Sequence, residues 1–262
     1  MLPTLSLSSN LSVQSPLEQF HLIPLLPLRL GAFDFTLTHS TLLMWMGLLA
    51  FLLLVRVLLL EKGGYLLPNR WQVFVESTYE LCMGLVSETI HGGKGQKYFP
   101  LVFSLFLFVM VSNLTGMVPY SFTSTSHLSV TLGLSMMVFL GYHIICVRKH
   151  GIRLLELYYP AGVSLLLAPL IVPIELLARC SQVISLSVRL FANMMAGHTL
   201  LKVIAGFAWQ MMGGGSLLFF AHLLTLAVLT LLIGLELAVA FIQSYVFAVL
   251  TCIYLNDAEN LH

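Results

Sequence analysis

Long apolar runs separated by short polar turns set the layout of this chain. They lie at about 41–60, 98–117, 128–147, 160–208 and 216–255. Each is long enough to cross a bilayer as a helix. Between the first two, at about 69–90, Trp71, Phe74, Val75, Tyr79, Cys82, Leu85 and Val86 recur at helical spacing. Glu76, Glu80 and Glu88 fall elsewhere on the wheel as a solvated face, which predicts an amphipathic helix on the membrane or against other helices. As straight helices the last two runs would be ~60–70 Å long, against a hydrocarbon core of ~30 Å. A tilt of about 20° does not absorb that mismatch, so each run either breaks into a hairpin or lies steeply inclined. Pro169 and Pro173 predict a bent start and then one long tilted helix, with the proline-free last run tilted against it. The expected fold is an all-α polytopic membrane protein. It has five membrane-crossing helices plus one amphipathic surface helix, in a single membrane domain over 39–262. Residues 1–38 form an N-terminal segment in which Pro3, Pro16, Pro24 and Pro27 block any long helix.

Composition agrees with the pattern. Of 262 residues, 58% are hydrophobic and 9% charged, against about 25% charged in soluble domains. A net charge of +1 argues against a nucleic-acid partner. Cys82, Cys146, Cys180 and Cys252 stand singly, without metal or redox spacing, and are expected to be buried inert thiols. Residues 1–28 hold no Lys or Arg, so neither a secretory n-region nor an Arg-rich transit peptide is expected there. Lys62, Arg70, Lys94 and Lys97 flank the amphipathic helix, and Arg148, Lys149 and Arg153 follow the third span. The stretches 119–127 and 207–215 carry no Lys or Arg. The positive-inside rule then puts the N-terminus outside and LNDAENLH inside. Arg56 and Lys202, near helix ends, are expected to be snorkelling anchors, and Arg179, near the inner end of its segment, an anchor that fits the same positive-inside rule.

The candidate chemistry lies in the last two runs. Gln182, Ser185, Arg189 and Asn193 recur three or four residues apart and share a helix face. A permanent cation such as Arg189 in hydrocarbon is by default a functional mark. His198, nine positions on, falls on the opposite face. On the last helix Glu236 and Gln243 are seven apart, and His222, fourteen before Glu236, is roughly in line with both. The bland alternative is a static Arg189–Glu236 ion pair, but such a pair does not need Glu175, Gln182, Asn193, His198, His222 and Gln243 strung along the same helices. A carboxylate and an imidazole can load and release protons. A guanidinium stays protonated and repels a passing proton. Access by His and Glu from one surface, a fixed charge midway, and Glu175 toward the other surface describe two half-paths that do not connect.

Four motifs carry a resemblance: SPLEQF near the N-terminus, SNLTGMVPYSFT after the second span, SLSVRLFANMMAGH, and GLELAVAFIQSYVFAVLTCIYL. With them the chain resembles subunit a of the F-type ATP synthase over nearly its whole length. The resemblance implies a stator subunit beside the rotating c-ring, at which protons enter past His198 and Glu236 and leave toward Glu175. It implies that Arg189 faces the c-ring carboxylate, with Asn193 and Gln243 as polar neighbours and Asn113 as a candidate at the outer mouth. Bacterial relatives of the enteric type exchange the residue types at His198 and Glu236. Relatives often carry an aspartate three residues after Asn113, where this chain has Gly116; His222 or water would serve instead. The implied partners are the c-ring, peripheral-stalk and other membrane subunits, lipid and protons. The implied setting is the mitochondrial inner membrane, with a bacterial plasma membrane as the alternative. No cofactor or metal is implied, and there is no phosphate-binding loop for chemistry on this chain. Two other classes compete. A stand-alone proton-coupled secondary transporter would show internal repeats, and none is present. A purely structural anchor would tolerate loss of Arg189.

Overall fold

The computed structural model describes residues 15–27, 29–30, 33–34, 36–60, 69–90, 95–118, 121–151, 168–212 and 216–259. Six helices dominate: α1 (His39–Leu60), α2 (Arg70–Thr89), α3 (Gly95–Gly116), α4 (Leu128–His150), α5 (Ala168–Met212) and α6 (Ser216–Glu259). Four of them, α3 to α6, are long and apolar enough to cross a membrane. In α1 the stretch meeting the apolar criterion, His39–Leu53, is shorter. The architecture is therefore all-α and polytopic. The expected start of the fourth span at Pro160, and Lys62, Lys94 and Arg153, lie outside the described residues.

The N-terminal segment contains strands that the sequence pattern did not indicate. After a short 3-10 helix (Pro16–Phe20), β1 (Pro24–Leu26) pairs antiparallel with β4 (Leu37–Thr38), and β2 (Arg29–Leu30) pairs with β3 (Phe33–Asp34). The prolines forbid helix there but permit edge strands.

Among the described residues each of the two long runs is one continuous helix with no hairpin, the first from Ala168 on as α5 of 45 residues and the second as α6 of 44. Pro173 sits in the second turn of α5 and costs one backbone hydrogen bond near the helix start. An all-round apolar sequence has no marked stripe to say where a helix turns back, so its continuity rests on the helix-forming run itself.

The core lies toward the C-terminal half of α6. One cluster joins Cys82, Leu85 and Val86 of α2 to Val102 and Phe106 of α3 and Ala248 and Cys252 of α6. A second joins Val109 of α3, Tyr142 and Cys146 of α4, Leu186 and Leu190 of α5, and Phe247 and Tyr254 of α6. The predicted stripe on α2 therefore divides. Cys82, Leu85 and Val86 pack inward, whereas Trp71, Phe74 and Tyr79 remain exposed, the Tyr79 ring touching Phe99 and Phe103 of α3 at an angle. Cysteine burial also departs from expectation at one position: Cys82, Cys146 and Cys252 are buried, but Cys180 is exposed on α5.

Candidate functional site

Along α5 the residues Val183, Leu186, Ser187, Leu190 and Met194 are buried. Gln182, Ser185, Arg189 and Asn193 form an adjoining exposed face. Burial thus follows helical phase: packing on α4 and α6 takes the apolar stripe and leaves the polar line uncovered by this chain. Arg189 makes no ion pair among the described residues and is exposed, so a static Arg189–Glu236 bridge is not the arrangement here.

Two clefts open along the α5–α6 pair. The one nearer the α5–α6 connection has a volume of about 220 Å³ and is lined by Asn193, Gly197, His198, Glu236 and their apolar neighbours. Glu236 continues the line of buried α6 residues Ala240, Ser244 and Phe247, which is why its carboxylate points at α5. It fits because residue 197 has no side chain. A Cβ at Gly197 would lie 2.9 Å from the Glu236 carboxyl carbon, closer than carbon atoms pack. One carboxylate oxygen, Oε2, is buried without a hydrogen-bond partner among the described residues. His198 Nε2 lies 3.0 Å from the Thr123 hydroxyl, on the turn between α3 and α4. Asn113 is fully buried beside that turn. Its Oδ1 accepts from Thr125 Oγ1 (2.9 Å) and its Nδ2 donates to the Ala240 carbonyl (3.3 Å).

The second cleft, of about 460 Å³, lies toward the start of α5 and the end of α6. Its polar lining is Glu175, Arg179, Ser181, Gln182, Ser185, Arg189 and Asp257. None of its lining residues lines the first cleft. Arg179, expected as an anchor, is held by three partners. Its Nε donates to Glu175 Oε1 (3.2 Å), and its Nη1 donates to Asp257 Oδ2 (3.2 Å) and to the Tyr142 hydroxyl (3.3 Å). With its side chain only 15% exposed, pairing keeps the charge from being stranded. Below it, Glu259 accepts from Tyr98 Oη (2.6 Å) and pairs with Lys149, tying α3, α4 and α6 together.

The structure brings Asn193, His198 and Glu236 to one cleft, and Glu175, Gln182 and Arg189 to the other. Gln243 is buried on α6 between them in sequence. His222 stands apart: its Nδ1 donates to the Ala208 carbonyl at 2.8 Å, across the α5–α6 connection. Sequence reasoning missed Thr123, Gly197 and Asp257. Asp257 had a signal, since Glu236, Gln243, Leu250 and Asp257 follow one another at heptad spacing. Among the described residues no group of His, Cys, Asp or Glu is placed to hold a metal.

Fold and clefts together define a multi-pass, all-α membrane protein with ionisable groups set along one pair of long helices. The family model for the ATP synthase A chain matches residues 41–256. The chain is 51% identical over 248 residues to ATP synthase subunit a of Pylaiella littoralis, covering 95% of this chain and 99% of the relative. It is 47% identical over 257 residues to that of Brassica napus, covering 97% and 99%. With that of Chondrus crispus it shares 45% identity over 256 residues, covering 98% and 100%. The chain belongs to the ATP synthase subunit a family. Its members are non-catalytic membrane subunits concerned with proton transport in ATP synthesis.

Proposed function

We propose that this chain is the proton-translocating stator subunit of an ATP synthase, offering two offset aqueous half-channels to the carboxylates of a c-ring. The observation that carries the reading is the pair of clefts with no lining residue in common, Arg189 on one and Asn193, His198 and Glu236 on the other. A proton enters from the outer side past His198 and Glu236 and neutralises a c-ring carboxylate. The neutral rotor subunit turns into lipid, an exposure too costly for an ionised one. On its return the carboxylate releases its proton toward Glu175 and pairs transiently with Arg189, whose fixed charge bars a direct leak between the clefts. Asn193, Gln182 and Gln243 supply neutral hydrogen-bonding groups along the way. Asn113 braces the wall of the inlet, and His222 stands at its outer end. The drive is ~2.3 kcal/mol per proton per 100 mV, plus the pH gradient.

In this reading α1 and α3 to α6 cross the membrane, α2 lies at its inner surface, and α5 and α6 are steeply inclined. The setting is the mitochondrial inner membrane, with the N-terminus toward the intermembrane space and the C-terminus toward the matrix. The c-ring, the peripheral stalk and other membrane subunits are the partners. Arg189→Ala in the intact complex tests it: ATP-driven acidification of vesicles is expected to be lost while the complex still assembles. Full coupled pumping by that variant would refute the assignment of Arg189.

A further inference from the structure

The turn between α3 and α4, from Thr123 to His127, reaches His198, a residue that lines the first cleft. Thr123 is 5% exposed, and its Oγ1 is 3.0 Å from His198 Nε2, a contact spanning 75 positions of sequence. The seat for Thr123 exists because of Gly116 at the end of α3. A Cβ at residue 116 would lie 2.6 Å from Thr123 Cγ2 and 2.9 Å from Thr123 Cβ. The turn cannot simply retreat. Thr125 is bonded to Asn113, and Asn113 in turn to the Ala240 carbonyl, one helical turn past Glu236. Gly116, Thr123, Asn113 and Ala240 thus form a brace from α3 and the turn to α6, and among the described residues it makes a polar contact with α5 at the His198 ring.

We propose that Thr123, admitted by Gly116, is a positioning residue for His198: its hydroxyl oxygen accepts from Nε2–H and so leaves Nδ1 as the ring atom that takes and gives the proton. It rests on the reading that His198 lies on the proton path. A hydroxyl can accept from a ring N–H or donate to a bare ring nitrogen. Only the accepting arrangement stays intact when the ring gains a second proton, because both nitrogens of the imidazolium are donors. With Nε2–H directed at Thr123, the neutral ring has Nδ1 free to accept. A proton added at Nδ1 gives the cation without disturbing the bond at Nε2, and its departure restores the starting tautomer. Thr123 neither gains nor loses a proton in the cycle. The ring keeps one orientation through loading and unloading, so no rotation is needed at each step.

The test uses the intact ATP synthase in vesicles, with ATP-driven acidification measured per assembled complex for Thr123→Val, Thr123→Ser and His198→Ala. The isosteric Thr123→Val is expected to slow pumping roughly three- to tenfold, the rate equivalent of one net hydrogen bond, and Thr123→Ser to recover most of it. Wild-type pumping by His198→Ala would overturn the proton-path reading itself. Loss of pumping in His198→Ala, with Thr123→Val and Thr123→Ser alike, would overturn the positioning role alone. If Thr123→Val does not assemble, Thr123→Ala, which removes the hydroxyl without adding bulk, is measured in its place with the same expectation. Failure of both to assemble beside a normal Thr123→Ser would make the hydroxyl a folding strut and would overturn the proposal.

Discussion

Replacing Gly197 by alanine puts a single methyl where α5 meets the Glu236 side chain. That methyl would stand 2.9 Å from the carboxyl carbon and 3.3 Å from Cγ. Carbon atoms pack best at about 3.5–4.0 Å, so the carboxylate must withdraw by roughly 0.6–1 Å, or the helices must part. Overpacking of this kind costs about 1–3 kcal/mol, and misplacing a reacting group by ~1 Å can cost about a hundredfold in rate. Gly197→Ala is therefore expected to assemble but to pump at least about tenfold more slowly, the rate equivalent of ~1.4 kcal/mol. ATP-driven acidification of vesicles, normalised to assembled complex, reads this directly. The geometry also predicts a compensating change. Glu236→Asp shortens the side chain by one carbon–carbon bond, about 1.5 Å, so the double variant should pump better than Gly197→Ala alone. Wild-type pumping in Gly197→Ala, or a double variant worse than either single one, would refute the argument from close approach.

Three other expectations follow from contacts described above. Asn113→Leu strands the buried Thr125 hydroxyl, while the Ala240 carbonyl keeps its place in the α6 ladder; one unmet group costs about 1–3 kcal/mol, visible as a lower thermal midpoint of the solubilised complex. His127, at the turn before α4, is half-buried, its Nε2 buried and unpaired among the described residues, and this burial lowers its pKa from the ordinary 6.5. Only the unfolded turn then binds a proton readily near that value, so stability is full above about pH 6.5 and falls as the pH drops below it. His127→Phe, which keeps the stacking on Phe122, should flatten that part of the stability–pH curve, and an unchanged curve would count against it. In the detergent-extracted chain a small maleimide should label Cys180 and spare Cys82, Cys146 and Cys252, as peptide mass mapping would reveal.

The helices were legible from the sequence because a bilayer demands long apolar runs, and α3, α4 and α6 begin within a few residues of where those runs do. The polar line on α5 was legible for a similar reason: a charge and two amides in hydrocarbon stand out against leucine. What escaped was set by contacts distant in sequence. Arg179 looks like a terminal anchor until Asp257 arrives 78 positions later. Thr123 is one of several hydroxyls in a polar turn, and only the packing of that turn on α5 gives it a histidine. The inner half of the α2 stripe is buried and the outer half is not, a distinction belonging to α3 and α6 rather than to α2 itself. The strands near the N-terminus, two or three residues each, are too short for any alternation to register.

The acidic residues at the end of α6 have a consequence for genetics. Asp257 and Glu259 stand in the polar LNDAENLH end, and between them they latch Arg179, Lys149 and Tyr98 from three other helices. A nonsense codon placed just before Asp257 would spare every membrane-spanning turn and still unfasten the bundle, so late truncations of this reading frame should behave as loss-of-function alleles.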